Sequence, residues 1–503
     1  MMTDFEGPLA QSIALCRQAQ RDWKAQPWKV RTTILKRVSD LLVLRADDLS
    51  VMISRNCGKT LTDALSTEVV PATMALAWYC RQARRALASR RAPRGNLLLA
   101  NKRSRIHNQP YGVIGIISPW NYPFAIPFSE VVMALLAGNG VVLKVATVTG
   151  GIGRAIAALF ADAGLPKDLL VLSELVGSEA GPAMVKGGVD KLFFTGSVEV
   201  GRILMKEAAP RLLPLVLELG GNDAAVVRAD ANLDLAVRGL IWAGLSNAGQ
   251  SCGGVQRILV HLSIFDDFCR RLARQVAELR VGDPENFDID IGAMVNAAQK
   301  MTVEGQVRDA QDRGARLLLD LAPDPADAEG RTWMLPRILI DVSPASPVWT
   351  EEVFGPVMIV LPFETDDQAV EMANDSTMGL TSSVWSKNHK EARDLARRLR
   401  AGAVMVNDHL MSHGLAETPW GGFGHSGTGR THGLQGLREM VREQVIVDDN
   451  LPLRRRNPWW HPHSRAVYDE LKALQAFQYA PKIGRRLASV PKLLRLFFTY
   501  WKK

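Results

Sequence analysis

Three short segments carry side chains that could do chemistry together. Asn247-Ala-Gly-Gln-Ser-Cys252 sets a thiol on a glycine turn, about thirty residues after Leu217-Glu-Leu-Gly-Gly221 sets a carboxylate beside another. A thiolate adds to carbonyl carbon, and a carboxylate can activate water against the thioester that follows. Upstream, Ser118-Pro-Trp-Asn-Tyr-Pro123 supplies a side-chain amide able to steady an oxygen that becomes negative. Alone, each has a plain reading: Cys252 as a small buried hydrophobe, Glu218 as a solvated strand-end carboxylate, Asn121 as a turn residue. Together they favour catalysis, with Cys252 as nucleophile and Glu218 as base. Cys16, Cys57, Cys80 and Cys269 have no such company and read as packing residues.

A nucleotide-binding signal lies between them. Phe194-Thr-Gly-Ser-Val-Glu-Val-Gly201 follows an apolar run and opens a helical one, so Gly196, Ser197, Gly201 and their N–H groups can face a pyrophosphate. Two glycines with four residues between them are weak evidence alone, and the usual three-glycine fingerprint is absent. Glu351-Glu-Val-Phe-Gly-Pro356 adds a carboxylate and an aromatic ring.

In this order and at these intervals the segments resemble the aldehyde dehydrogenase superfamily, from about residue 10 to 447. Asn407-Asp408, Arg430-Thr-His-Gly433 and Asn457-Pro-Trp-Trp-His-Pro-His-Ser464 are similar to its branch that includes fatty aldehyde dehydrogenases. The resemblance implies that Asn121 and the Cys252 backbone N–H form an oxyanion hole. It implies that Glu218 activates the deacylating water, which favours a free acid over transfer to coenzyme A. It assigns Glu352 to the nicotinamide ribose, Phe354 to packing beside it and Lys144 to the adenine ribose. Pro119, Trp120 and Leu219 join the cofactor contacts by the same resemblance. Thr418 to Arg430, rich in glycine, matches the segment that lines the substrate entrance and joins subunits. The implied cofactor is NAD or NADP, the implied assembly a homodimer, and the substrate a hydrophobic medium- or long-chain aldehyde. No metal is needed. A coenzyme A-acylating enzyme, a cysteine hydrolase and a non-catalytic scaffold of the same fold remain as alternatives.

One departure bears on the cofactor. The family often continues the Lys144 strand as Lys-Pro-Ser/Ala-Glu, whereas here it reads Lys144-Val-Ala-Thr147. A glutamate there would repel a 2′-phosphate. Thr147 removes that repulsion and leaves Lys144 free to pair with phosphate, so NADP is expected to be tolerated beside NAD.

Bulk composition is that of an ordinary globular enzyme: 503 residues, 47% hydrophobic and 22% charged. Five scattered cysteines without a Cys-x-x-Cys pair speak against zinc or a disulfide framework. No basic-then-apolar leader and no apolar stretch of about 20 residues is seen, so a cytoplasmic location is expected. The net charge of +9 is concentrated in one place. Residues 451–503 hold twelve Lys/Arg against Asp469 and Glu470, leaving the rest of the chain near neutrality. A neutral body with a cationic tail is not a nucleic-acid-binding pattern.

Positioning these groups requires alternating strands and helices. After a helical region over 9–90 and a strand or hairpin near 95–109, buried β-rich runs at 112–117, 140–144, 169–175 and 191–194 alternate with helical ones. A second series runs from 224–227 through 256–260, 357–361 and 382–385 to 402–407. Such alternation predicts an α/β protein of two doubly wound parallel-sheet domains with a small strand-based oligomerisation arm. The expected division is 1–217 cofactor-binding, 218–407 catalytic, 408–450 closing and oligomerisation, and 451–503 a basic amphipathic tail. Residues 320–330 read as a surface loop. In the tail, 490–503 wound at about 100° per residue separates Lys492, Arg495, Lys502 and Lys503 from a Leu/Phe/Trp face. At about 21 Å this helix is too short to cross a bilayer, so it is expected to lie on an anionic membrane surface, the alternative being a helix docked on the partner subunit or capping the substrate tunnel.

Overall fold

The computed structural model describes residues 7–93, 95, 99, 101–321, 324, 330–449 and 459–494. The chain divides into two compact units: Met1–Leu87 with Pro110–Arg442, and Ala88–Gln109 with Glu443–Lys503.

The larger unit is mixed α/β, built on two sheets. Val113–Ile117, Gly140–Lys144, Leu170–Leu172, Lys191–Thr195 and Leu215–Glu218 are parallel strands of the first. Runs such as Val-Ile-Gly-Ile-Ile form its centre because helices cover both faces and leave no room for polar alternation. The second sheet has the order Arg316–Asp320, Arg337–Ile340, Val357–Phe363, Val255–His261, Asp223–Val227, Thr381–Trp385, Ala403–Val406. Each sheet has a hydrophobic core, with Val226, Leu240, Ile258 and Ile359 in one and Phe128, Val132, Val141 and Phe193 in the other.

Two edge strands depart from an all-parallel reading. Arg316–Asp320 runs antiparallel to Arg337–Ile340, and Gly427–Thr428 runs antiparallel to Leu215–Glu218. An edge needs a ladder on one side only, so a returning segment can seal it without a long apolar run. The glycine-rich 418–430 segment thus supports the strand that ends in Glu218.

Register brings the site together. Ile117 is level with Lys144 and Phe194, and Thr195 is level with Glu218. The loops after these strands therefore emerge at the carboxyl edge of the first sheet, where open α/β sheets bind ligands. Cys252 precedes Val255, which is level with Asp223, so it belongs to the amino edge of the second sheet.

The smaller unit contains a three-stranded sheet of Arg90–Arg91, Lys102–Pro110 and Val441–Asp449, then helices Arg465–Tyr479 and Ile483–Ala488. The strand expected near 95–109 is met by Lys102–Pro110. Residues 490–494 are helical; the rest of the expected 490–503 helix, and most of the expected 320–330 loop, lie outside the described residues.

Candidate active site

The cysteine loop is an enforced conformation. After helix Leu233–Leu245 the backbone enters the left-handed region at Asn247 (φ 54°), Ala248 (φ 53°) and Gly249 (φ 71°). For non-glycine residues this costs of order 1–3 kcal/mol each and persists only when the surroundings dictate it. Here they do. Asp63 accepts the Asn247 N–H at 3.0 Å, and the Asn247 amide donates to the Asn121 and Gln250 carbonyls, each at 3.1 Å. Gln250 returns a bond to the Asn247 carbonyl at 2.9 Å and accepts the Val295 N–H at 2.9 Å. Gly249 is required: a Cβ there would lie 2.1 Å from the Gly355 carbonyl oxygen. The Cys252 loop is thereby pressed onto the segment that carries Glu352 and Phe354.

Asn121 is 2% exposed, and its amide donates to the Gln250 carbonyl at 3.1 Å. An amide nitrogen has two hydrogens, so one bond orients the group and the second remains to be given. Glu218 is buried at the end of its strand, and neither carboxylate oxygen has a hydrogen-bond partner. Burial, followed by the neighbouring Glu130 carboxyl, raises its pKa well above the ordinary carboxylate range; Arg430 and the nearby Thr431 N–H pull the other way. Burial alone pushes Glu130 up to about 8. The Cys252 thiol is raised by burial, then by the Glu352, Asp223 and Glu218 carboxyls, against the Gly253 N–H. A positive charge beside the sulfur would oppose this shift and favour the thiolate.

Cys252 is half-buried and lines two cavities. The first, ≈ 300 Å³, also contains Pro119, Trp120, Asn121 and Glu218, with Gly196, Ser197, Leu219, Glu352 and Phe354 on its walls. Ser197 caps helix Val198–Ala208, its hydroxyl accepting the Val200 N–H at 3.3 Å, so a helix amino terminus opens here. Glu352 accepts the Gly221 N–H at 3.1 Å, and its other oxygen lies 2.4 Å from where a Cβ on Gly220 would stand. Phe354 meets Trp120 edge to face with centroids 5.4 Å apart. Thr195 contributes a buried hydroxyl with no partner. Lys144 and Thr147 line a separate ≈ 250 Å³ recess with Arg154, Ser173 and Glu174. Gly201 lies inside the helix, where its missing side chain admits Leu219. A helix amino terminus, a buried carboxylate and a recess with a lysine fit the parts of a dinucleotide.

The second cavity, ≈ 70 Å³, is lined by Tyr122, Trp242, Leu410, Met411, His413 and Trp420, with Ser66, Thr67 and Pro71 at its side. His413 sits between Tyr122 and Trp420 at centroid distances of 5.6 and 4.9 Å, and burial lowers its pKa to about 3. Burial likewise lowers the adjoining His432 to about 4. Among the described residues this cavity has no charged wall.

Cys252 lies on the walls of both cavities, and comparison with known proteins decides the family. The model of the Aldehyde dehydrogenase family matches residues 9–446. The chain belongs to the aldehyde dehydrogenase family. It is 34% identical over 472 residues to the 4,4'-diapolycopene aldehyde oxidase of a Methylomonas species, covering 94% of this chain and 87% of that one. The NAD-dependent aldehyde dehydrogenase of Sinorhizobium meliloti superposes with a TM-score of 0.84 at 33% identity, covering 90% and 88% of the two chains. The succinate-semialdehyde dehydrogenase of Burkholderia pseudomallei gives 0.81 at 33% identity, covering 88% and 89%. The protein is therefore an NAD(P)-dependent aldehyde dehydrogenase, and its cofactor is NAD or NADP.

Several members of this dehydrogenase's site carry no motif of their own. Trp420 lines the aromatic cavity, in keeping with the substrate-entrance role implied for 418–430, while Arg430 in the same segment acts on Glu218. Gln299 and Thr302 line the larger cavity from a helix with no motif. Asp63 gave no signal at all, being one acid in an ordinary helical stretch.

Proposed function

We propose that the chain oxidises hydrophobic medium- or long-chain aldehydes to carboxylic acids, with NADP tolerated beside NAD. The observation that carries the substrate reading is the uncharged aromatic cavity that Cys252 lines. A substrate bearing its own carboxylate would be desolvated there with no cation to meet it. An alkyl chain instead gains about 0.8 kcal/mol per methylene buried.

In this reading the Cys252 sulfur adds to the aldehyde carbon, and Asn121 with the Cys252 N–H receives the oxygen as it becomes negative. The chemistry a bound nicotinamide supplies is acceptance of hydride, which leaves the substrate carbon as a thioester on Cys252. Glu218 then removes a proton from water, and the hydroxide attacks the thioester to release the acid and the thiolate. Glu352 and Phe354 would hold the nicotinamide end, with Gly196 and Ser197 at the pyrophosphate. Lys144 and Thr147 would hold the adenine ribose, beside Arg154, which is paired with Glu174 at 3.2 Å; the reading of NADP tolerance rests on Thr147 standing where a glutamate would repel a 2′-phosphate.

Two features of the smaller unit support proposals about partners. Strand Val441–Asp449 leaves Val445, Ile446 and Val447 exposed, which suits pairing with a second copy in a homodimer. The segment 459–494 exposes Trp459, Trp460, Phe477, Ile483 and Leu487 among Arg465, Lys472, Lys482, Arg485, Arg486 and Lys492. That mixture suits peripheral attachment of a cytoplasmic enzyme to anionic lipid. Among the described residues no helix is long and apolar enough to cross a membrane.

The deciding assay measures nicotinamide reduction across straight-chain aldehydes, with succinate semialdehyde as comparator and both cofactors. A kcat/KM that climbs up to about fourfold per added methylene is expected. A maximum at succinate semialdehyde would overturn the substrate reading.

A further inference from the structure

The two donors of the proposed oxyanion hole come from loops of different sheets, so their spacing depends on whatever ties the two loops together. One stretch near the N-terminus touches both. Helix Leu61–Ala64 runs into the π-helical turn Leu65–Val69. In a straight α-helix residues 63 and 68 would point about 140° apart; the wider turn lets both reach the same region.

Glu68 accepts the backbone N–H groups of Phe124 and Ala125 at 2.8 and 2.9 Å, just after the Asn121 turn. Asp63 accepts the Asn247 N–H at 3.0 Å and the Ser246 hydroxyl at 3.2 Å, at the start of the Cys252 loop. Lys59 pairs with Glu68 at 2.7 Å, both side chains wholly buried, and its ammonium stands 3.7 Å from the Tyr122 ring centroid. The Tyr122 hydroxyl bonds Ser251 at 3.1 Å, so the residue after Asn121 is tied to the residue before Cys252. A buried ion pair gains little net stability against its desolvation cost, so its presence here is better explained by the geometry it imposes.

We propose that Asp63 and Glu68 are positioning residues that set the distance between Asn121 and the Cys252 loop, with Lys59 as their buried counter-ion. Neither touches substrate. They act by holding donors within the few tenths of an ångström that oxyanion stabilisation demands. The same turn supplies Ser66 and Thr67 to the wall of the aromatic cavity, which makes it a direct link between substrate binding and donor placement. The inference rests on Asn121 being an oxyanion donor.

The test compares Asp63→Ala, Asp63→Asn, Asn121→Ala and the double variant Asp63→Ala/Asn121→Ala in the full chain. Asp63→Ala should lower kcat about 10- to 100-fold with KM nearly unchanged and with cofactor binding, read by fluorescence, retained. Asp63→Asn should recover activity to within about threefold, because an amide can accept from Asn247 and donate to Ser246. The double variant should be no slower than Asn121→Ala, since a clamp has nothing to place once the donor is gone. Losses that multiply, or an Asp63→Ala kcat within about twofold of the parent, overturn the clamp. Should Asp63→Ala fail to fold, Ser246→Ala removes one tie without stranding a charge and carries the same comparison. Full activity in Asn121→Ala would instead overturn the oxyanion reading itself.

Discussion

Replacing Glu218 by glutamine keeps the side chain's size and removes its basicity. The carboxylate is 4% exposed, has no hydrogen-bond partner on either oxygen, and is held above its ordinary pKa by burial and by Glu130. A base so placed is stronger than a solvated carboxylate, and general-base assistance is worth about 100- to 10,000-fold. Steady-state turnover of Glu218→Gln should fall by that range once thioester hydrolysis limits it. Formation of the thioester needs no base at this position, so the first turnover should survive. Rapid mixing should show a burst approaching one reduced nicotinamide per active subunit, followed by a slow phase. The sign of the pH dependence follows from the raised pKa. Glu218 works deprotonated, so parent turnover should rise with pH through a value above the usual carboxylate range, and this limb should vanish in the variant. A burst slowed as much as the steady rate would refute the assignment, as would turnover equal to the parent's.

Three further outcomes are expected. Thr147→Glu should weaken NADPH binding, measured by fluorescence, at least about tenfold while NADH changes less than about threefold, because the new charge opposes only the 2′-phosphate; equal effects on both would remove Thr147 from cofactor choice. Gly249→Ala places a Cβ 2.1 Å from the Gly355 carbonyl at φ +71°, so urea unfolding should show a loss of about 1–3 kcal/mol and turnover should fall with it; an unchanged midpoint and rate would mean the loop tolerates the shift. In flotation with anionic vesicles the full chain should rise, and a chain ending at Ala488 should remain largely behind; equal recovery would dispose of the 490–503 anchor.

Much of the larger unit was legible because its central strands are continuous apolar runs, as at 113–117, 140–143 and 224–227, which suit a doubly covered sheet. The edges were not. Arg316–Asp320 and Gly427–Thr428 owe their strand form to a partner found elsewhere in the chain, and a glycine-threonine pair carries no strand pattern of its own. Cys252, Glu218 and Asn121 were legible as types in motifs, and the structure gathers all three on one cavity wall. Asp63 and Glu68 were invisible because the loops they hold lie 56 to 184 residues away.

The order of residues by itself determined the reactive groups and the alternation that lays down two sheets, since both follow from side-chain type and local periodicity. Tertiary structure alone decided that the thiol separates a recess carrying Glu218 and Glu352 from an uncharged cavity, and that Asn247 and Ala248 are held left-handed. The reason is physical. Burial, dielectric and the distance between loops are properties of groups packed from distant parts of the chain, and no local stretch contains them.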